Sequence, residues 1–171
     1  MLYLPFILQG LVMVVDEFII HEKRGLPTWE RYGHPLDTLT VLAAFLFVQN
    51  FSWTPENHNI YLGLCVFSCL FITKDEFVHQ KVSSSLEHWL HSLLFLLHPV
   101  SFWCAFIIWR DDPGNPFLRI QSWVLFSFML YQIIRWSFLW QILTTRFTKL
   151  SEKDGTRHGM IRSHSSVQKA K

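Results

Sequence analysis

The sequence predicts an all-α integral membrane protein, a helical bundle of about five transmembrane helices, and two observations support this prediction. Half of the 171 residues are hydrophobic, the mean hydropathy is +0.23, and only 16% of the residues are charged, against roughly 25% in a usual soluble domain. The apolar residues also fall into separate blocks, each near the ~20 residues that a helix needs to cross a bilayer. This composition excludes a disordered tail, a coiled coil, a disulfide scaffold and a nucleic-acid-binding arm.

The five apolar blocks define a membrane domain over residues 1–143. In chain order, the predicted spans are 2–20, 36–53, 58–73, 89–109 and 120–143. No basic segment precedes the first span and no small-residue cleavage site follows it, so we interpret it as a retained helix and not as a signal peptide. The third span is short and needs its flanking residues to cross. Residues 144–171 are then a polar, basic tail.

The distribution of Lys and Arg predicts how the bundle is oriented. The loops after spans one and three, together with the tail, hold twelve of these residues, whereas the two opposite connections hold only Arg110 and Arg119. Basic residues are enriched on the cytoplasmic side of membrane proteins. We therefore expect the N-terminus outside and the C-terminus in the cytoplasm, with the basic tail close to anionic lipid headgroups.

Acidic and histidine residues gather where the spans end on the predicted cytoplasmic side. They close span one, lead into span two, close span three and open span four, as Asp16, Glu17, His21, Glu22, Glu30, His34, Asp37, Asp75, Glu76, His79, Glu87, His88 and His91. Any one of them alone is explained by helix capping or by a surface ion pair. Together they are costly to bury unless they are paired or bound to metal. The pattern therefore favours a metal site.

Two parts of the sequence resemble each other. The segment 16–23, DEFIIHEK, is similar to the segment 75–81, DEFVHQK, and each is followed by a Glu and a His four residues apart and then by a span. We interpret the match as a duplicated helix–loop–helix hairpin whose two copies face each other about a pseudo-two-fold axis. Binding sites in repeated membrane folds tend to lie where the repeats meet.

Helical spacing selects the candidate metal ligands, because residues three or four positions apart share a helix face. The proposed ligands are Glu17, His21, His34, Glu76, His79, Glu87, His88 and His91, and the proposed bridging or orienting partners are Asp16, Glu30 and Asp75. Gly33 and Pro35 predict that His34 lies on a loop from which it reaches the site. Carboxylates and imidazoles suit iron, zinc or manganese, and the inventory is large enough for two ions.

Two ionisable residues lie deeper in the spans. His98 follows His91 by seven residues, which places it on nearly the same face about 10 Å further into the membrane, and Arg135 lies near the middle of span five. Ionisable residues inside a membrane are functional candidates, so the two are predicted to line a substrate channel. The alternative is that His98 hydrogen-bonds a neighbouring helix and that Arg135 extends toward the membrane surface.

The assembled pattern resembles the integral-membrane histidine-rich di-iron oxygenases, which are lipid hydroxylases and desaturases. The similarity covers about 80 residues and rests on the pairs Glu76/His79 and His88/His91 and on His21 and His34. The paired-His boxes of that family are missing, since Ser92 follows His91 where a second His would stand. The resemblance implies two iron ions, oxidation of a lipid or other apolar substrate at the cytoplasmic interface, and an electron-donor protein on the basic face.

Two other functions are compatible with the same residues. A membrane zinc hydrolase of a lipid ester or amide needs only three or four ligands and a carboxylate as general base, and it leaves several of the candidate residues unexplained. A divalent-metal transporter needs ligands near the bilayer midplane and a polar path through it, whereas the candidate ligands here gather at one interface.

Overall fold

The computed structural model describes residues 1–24, 26–75, 84–139 and 142. Over these residues the chain forms five α-helices and no strand, which confirms the all-α prediction. The helices are α1 (Leu4–Val15), α2 (Thr28–Asn50), α3 (Pro55–Phe71), α4 (Ser85–Asp111) and α5 (Pro116–Gln132).

Four shorter segments extend these helices. The helix α1 continues as a π-helical segment, Asp16–His21, and then as one α-helical turn, Glu22–Arg24. The 3₁₀ turn Ile72–Asp75 follows α3. A second π-helical segment, Ile133–Leu139, continues α5. The π-helical segment after α1 matters most, because it carries part of the site described below.

Three stretches of helix, within the described residues, are long and apolar enough to cross a membrane: Leu4–His21, Ser85–Asp111 and Pro116–Trp136. The sequence predicted about five. The helix α2 has 23 residues, but the charged and histidine residues of its first half lower its hydropathy. The helix α3 has 17 residues, fewer than the ~20 of a typical span. The three apolar helices indicate a membrane protein.

Local sequence signals fix where the later helices begin. The side chains of Thr54, Ser84 and Asn115 each accept a hydrogen bond from a backbone N–H in the first turn of α3, α4 and α5 respectively, as N-cap residues do. Between α4 and α5, the Asn115 N–H donates to the Asp112 carbonyl over 3.0 Å, and Gly114 has a φ of 107°. This is a type II turn, whose third residue favours glycine.

The apolar core lies toward one end of the helices. The helix α1 packs against α4, and α2 packs against α5 and α3. Phe6, Phe45, Phe102 and Trp109 are buried together near the start of α1 and the later parts of α2 and α4. At the opposite end, the end of α1 and the starts of α2 and α4 instead bury acidic and histidine side chains.

The structure corrects the prediction that His34 lies on a loop. The helix α2 begins at Thr28 and continues through Gly33, His34 and Pro35. Pro35 has no N–H to donate to the carbonyl four residues earlier, which disfavours a helix locally. Gly33 and Pro35 are nevertheless buried, so the packing of the early turns of α2 outweighs the local preference.

The chain consists of two compact units, Met1–Ile133 and Ile134–Lys171. All of the groups and cavities described below belong to the first unit. The predicted basic tail, 144–171, lies outside the described residues, so the proposed division of the chain at residue 143 stays a prediction.

Trp109 gives a test of the apolar core. Its ring is 1% exposed, and its Nε1–H donates to the Phe51 carbonyl over 2.8 Å. We expect Trp109→Phe to destabilise the protein by about 1–3 kcal/mol, because the Phe51 carbonyl loses its donor and the smaller ring leaves buried space unfilled. The control Trp103→Phe changes a ring that is 62% exposed and should have little effect. Equal thermal unfolding midpoints of the two variants in mild detergent would contradict this view of the core.

Candidate metal centre

The π-helical segment Asp16–His21 turns three polar side chains toward the same point. In a π-helix the backbone hydrogen bonds join residues five apart, so Asp16 and His21 are neighbours on one face. His21 Nε2 lies 3.5 Å from Asp16 Oδ2, and His21 Nδ1 lies 3.9 Å from Glu17 Oε2. All three side chains are buried. Single turns of π-helix are frequent at functional sites.

A first cluster of residues that could bind a metal joins the π-helical segment to the start of α4. We call it the four-residue group. Its members are Asp16, His21, Glu87 and His91, and one donor atom from each lies within 4.8 Å of the others. His21 Nε2 lies 3.6 Å from Glu87 Oε1. His91 Nε2 lies 3.4 Å from Asp16 Oδ2. The Ser84 cap starts α4 one turn before Glu87, which brings both of its ligand candidates to this end.

A second cluster, the three-residue group, consists of Glu17, His21 and His34. His34 Nδ1 lies 3.9 Å from Glu17 Oε2, the oxygen that also faces His21 Nδ1. The two imidazole rings meet edge to face with their centres 4.7 Å apart. His21 therefore belongs to both groups: its Nε2 faces the four-residue group and its Nδ1 faces the three-residue group.

The distances in these groups fit ligands around a cation better than they fit hydrogen bonds. A hydrogen bond between a charged nitrogen and a carboxylate spans about 2.7–2.9 Å, whereas the contacts here span 3.4–3.9 Å. Ligands placed tetrahedrally at ~2.0–2.1 Å from an ion are about 3.4 Å apart. Within the described residues, neither ring nitrogen of His21 nor Asp16 Oδ1 has a hydrogen-bond partner, although these atoms are buried. The residues present therefore fit a metal ion.

Burial makes the charges of the site expensive. His21 and Glu87 are 0% exposed and Asp16 is 5% exposed. Carboxylates held this close in a medium of low dielectric repel each other, and each has lost its hydration. A divalent cation would provide compensating positive charge, and its binding would require the ligating imidazole nitrogens to be unprotonated.

Glu17 is held in place by two residues that the sequence analysis missed. The amide nitrogen of Gln132 donates to Glu17 Oε2 over 3.2 Å, and its carbonyl accepts from the Thr38 hydroxyl over 2.8 Å. Gln132 and Thr38 are both buried. Residues that orient a metal ligand tune the affinity of the site. A polar amide inside the apolar fifth span was the sequence signal for Gln132, since such a group needs a partner.

Among the residues that the structure describes, the predicted site residues Glu30 and His88 belong to neither group. Glu30 is fully buried in the first turn of α2, four residues before His34. His88 is half-buried at the start of α4. Their predicted roles as an orienting partner and as a ligand stay predictions.

The segment 75–81, which opens the second copy of the predicted repeat, is described only in part. Asp75 ends the 3₁₀ turn after α3, and nothing is described of its side chain. Glu76 and His79 lie outside the described residues. Their roles, and the pseudo-two-fold relation between the two hairpins, stay predictions.

An apolar cavity opens onto both groups. It has a volume of about 110 Å³, and its wall includes Asp16, His34 and His91 beside apolar side chains such as Leu94 and Phe95. A second cavity of similar volume continues from it toward Phe6 and Phe45 and shares part of its wall. An apolar molecule in the first cavity would therefore touch residues of both metal-binding groups.

His98 lies at the junction of the two cavities and lines both of them. Its Nδ1 is 3.1 Å from Gln9 Nε2 in α1, and its Nε2 is 3.0 Å from Ser68 Oγ in α3. The two interpretations offered for His98 are thus compatible, since it hydrogen-bonds neighbouring helices and also lines a cavity.

Arg135 belongs to the second compact unit. Its guanidinium carbon lies 5.1 Å from the centre of the Trp136 ring, a cation–π contact. Its predicted place in a substrate channel stays a prediction.

Comparisons of the chain with protein-family models, with curated proteins and with solved structures find no match. The resemblance to the membrane di-iron oxygenases therefore rests on the sequence motifs alone. The structure shows apolar helices surrounding buried His, Asp and Glu groups that are compatible with a metal site.

His91 and His88 provide a matched pair for testing the four-residue group. We expect His91→Ala to weaken binding of Co²⁺ by more than the roughly 10–100-fold that follows loss of a residue orienting a ligand, because a donor atom is removed. His88→Ala, on the same helix but outside both groups, should bind Co²⁺ nearly as well as the wild type. Optical titration of the protein in mild detergent measures both affinities. If His88→Ala weakened Co²⁺ binding more than His91→Ala did, the metal site would include His88 instead of His91.

Gln132 tests whether the support of Glu17 matters. Gln132→Leu removes the donor to Glu17 and is expected to weaken metal binding by about 10–100-fold. The control Gln121→Leu removes an amide from an earlier turn of α5, and we expect it to leave the affinity unchanged. The same Co²⁺ titration applies, and equal affinities for the two variants would show that the contact of Gln132 with Glu17 does not support metal binding.

Proposed function

We propose that this chain is a membrane-embedded, metal-dependent oxidoreductase that holds two iron ions and acts on a lipid or other apolar substrate. The observation that supports the proposal is the apolar cavity whose wall includes Asp16, His34 and His91. Ligand sites are typically apolar clefts with a few convergent polar groups. A substrate in this cavity would lie against the metal-binding residues and away from water.

The two groups account for two ions. The four-residue group would hold one ion, while Glu17, His34 and the second nitrogen of His21 would hold the other. Imidazole and carboxylate donors without thiolates suit iron, and also manganese or zinc, and two-ion sites of this composition occur between the helices of bundles. Bound iron would supply one-electron and oxygen chemistry.

The chain's own residues position the reaction. The apolar side chains of Met13, Leu94 and Phe95 line the first cavity, where they would hold the apolar part of the substrate and exclude water. Gln132 and Thr38 restrain the carboxylate of Glu17. The protein thereby orients the metal ligands and the substrate before any reaction begins.

The basic residues near this end of the helices support a proposal about orientation and partner. The positive-inside rule assigns the site to the cytoplasmic side, with the N-terminus outside and the C-terminus in the cytoplasm. Lys23 and Arg31 lie close in sequence to the ligands of the first hairpin. We place the docking site of an electron-donor protein on this basic face.

A zinc-dependent hydrolase of a lipid ester or amide is the second candidate, and one observation favours it. The contacts of 3.4–3.6 Å within the four-residue group are close to the separation of about 3.4 Å between tetrahedral zinc ligands. In this alternative the three-residue group binds no metal, and the Nδ1–H of His21 faces the Glu17 carboxylate at 3.9 Å. Bound zinc would activate a water for hydrolysis.

The metal content of protein purified in mild detergent without oxygen distinguishes the two candidates. We expect about two irons per chain in the wild type, and loss of both in His21→Ala, because His21 belongs to both groups. The control His58→Ala changes a histidine that stacks on Phe106, far along the chain from the ligands, and should retain the metal.

Three other results have defined meanings. One zinc per chain would support the hydrolase, and the substrate search would then use lipid esters and amides. Loss of one iron and retention of the other in His21→Ala would contradict the shared role of that residue. Wild-type protein that binds neither iron nor zinc after reconstitution would overturn both candidates.

A further inference from the structure

We propose that the two cavities hold a substrate with two polar groups, one at the metal centre and the other at a polar subsite formed by Ser101, His98 and Gln9. The inference rests on the proposed function for the metal-bound end of the substrate. It deepens that function by naming a substrate class: an apolar chain that carries a second hydrogen-bonding group, such as a hydroxyl, along its length.

The Ser101 hydroxyl points to a ligand. The residue is 4% exposed, it lines the second cavity, and its Oγ has no hydrogen-bond partner among the described residues. A serine or threonine inside a helix commonly bonds the carbonyl four residues earlier, as Ser92 and Ser122 do in this chain. A buried hydroxyl without a partner destabilises the fold. A hydrogen-bonding group of a substrate would satisfy it.

Beside Ser101, a chain of hydrogen bonds fixes how His98 is protonated. The Thr40 hydroxyl donates to the Asp37 carbonyl over 2.8 Å, so the Ser68 hydroxyl, 2.7 Å away, donates to Thr40. His98 Nε2 then donates to Ser68, and His98 Nδ1 accepts from the amide of Gln9. One amide hydrogen and the carbonyl oxygen of Gln9 remain for a group in the cavity, since Gln9 also lines both cavities.

The spacing along α4 sets the distance between the two polar ends. His91, in the wall of the first cavity, precedes His98 by seven residues, or about 10 Å of helix, and Ser101 follows one turn later. Between the ends, Met13, Val41 and Leu125 line both cavities with apolar surface. A substrate that reaches both ends therefore needs an apolar stretch of about this length between its polar groups.

Binding of a medium-chain ω-hydroxy fatty acid, compared with the parent fatty acid of the same length, tests the subsite. Calorimetry on the full chain in mild detergent, with and without added Zn²⁺, measures both affinities. At the matching chain length we expect the hydroxy acid to bind the wild type about fivefold to tenfold more tightly, the value of one net hydrogen bond. Ser101→Ala should abolish this preference, and Ser127→Ala, which changes an exposed serine of α5, should retain it.

The outcomes separate the subsite from the metal function. A hydroxyl preference that needs Ser101, together with affinities of both acids that Zn²⁺ leaves unchanged, would support the subsite while the metal proposal fails. Equal binding of the two acids by the wild type at every chain length, or a preference that survives in Ser101→Ala, would overturn the subsite. Ser101→Ala should unfold at the same temperature as the wild type or higher, because it removes a buried hydroxyl without a partner, so misfolding is distinguishable from lost recognition.

Discussion

Burial of carboxylates and imidazoles at one end of an apolar helical bundle is the constraint on which the rest of the structure depends. The six side chains are Asp16, Glu17, His21, His34, Glu87 and His91. They lie 3.4–3.9 Å from one another, which is longer than hydrogen bonds that would join them directly. A cation at this point would reduce the cost of burial, and it would also join the end of α1 to the starts of α2 and α4. Metal binding would thereby be coupled to helix packing at this end of the bundle.

Two irregular features of the helices bring the candidate ligands together. The π-helical segment after α1 adds Asp16 to the face that Glu17 and His21 already share. The helix α2 continues through Pro35, which carries His34 into the site on a rigid element instead of a loop. Both features are locally unfavourable or rare. Their presence at the ligands agrees with the general finding that local rules are broken where function requires it.

The helical class, the approximate positions of the apolar segments and the gathering of acidic and histidine residues followed from composition and spacing. Glu87 and His91 were placed on one face because residues four apart share it in an α-helix. The direct contact of Asp16 with His21 was not predictable in this way, because a π-helical turn leaves no signature in α-helical periodicity. The role of Gln132 was not predictable because it depends on how α5 packs against α2. Its hydrogen bond with Thr38, for example, joins residues 94 positions apart in the sequence.

In the two proposals for this site, the number of metal ions depends on a single proton of His21. A neutral imidazole has one nitrogen with a lone pair and one with a hydrogen, yet the two nitrogens of His21 face different groups of donors. If only Nε2 binds an ion, the Nδ1–H faces the Glu17 carboxylate at 3.9 Å, and Gln132 holds that carboxylate in place. This is the arrangement of a single centre with an oriented ligand. If both nitrogens bind ions, His21 must lose its second proton. The two-iron and one-zinc proposals thus differ in the charge of one buried ring, and Glu17 is a metal ligand only in the two-iron proposal.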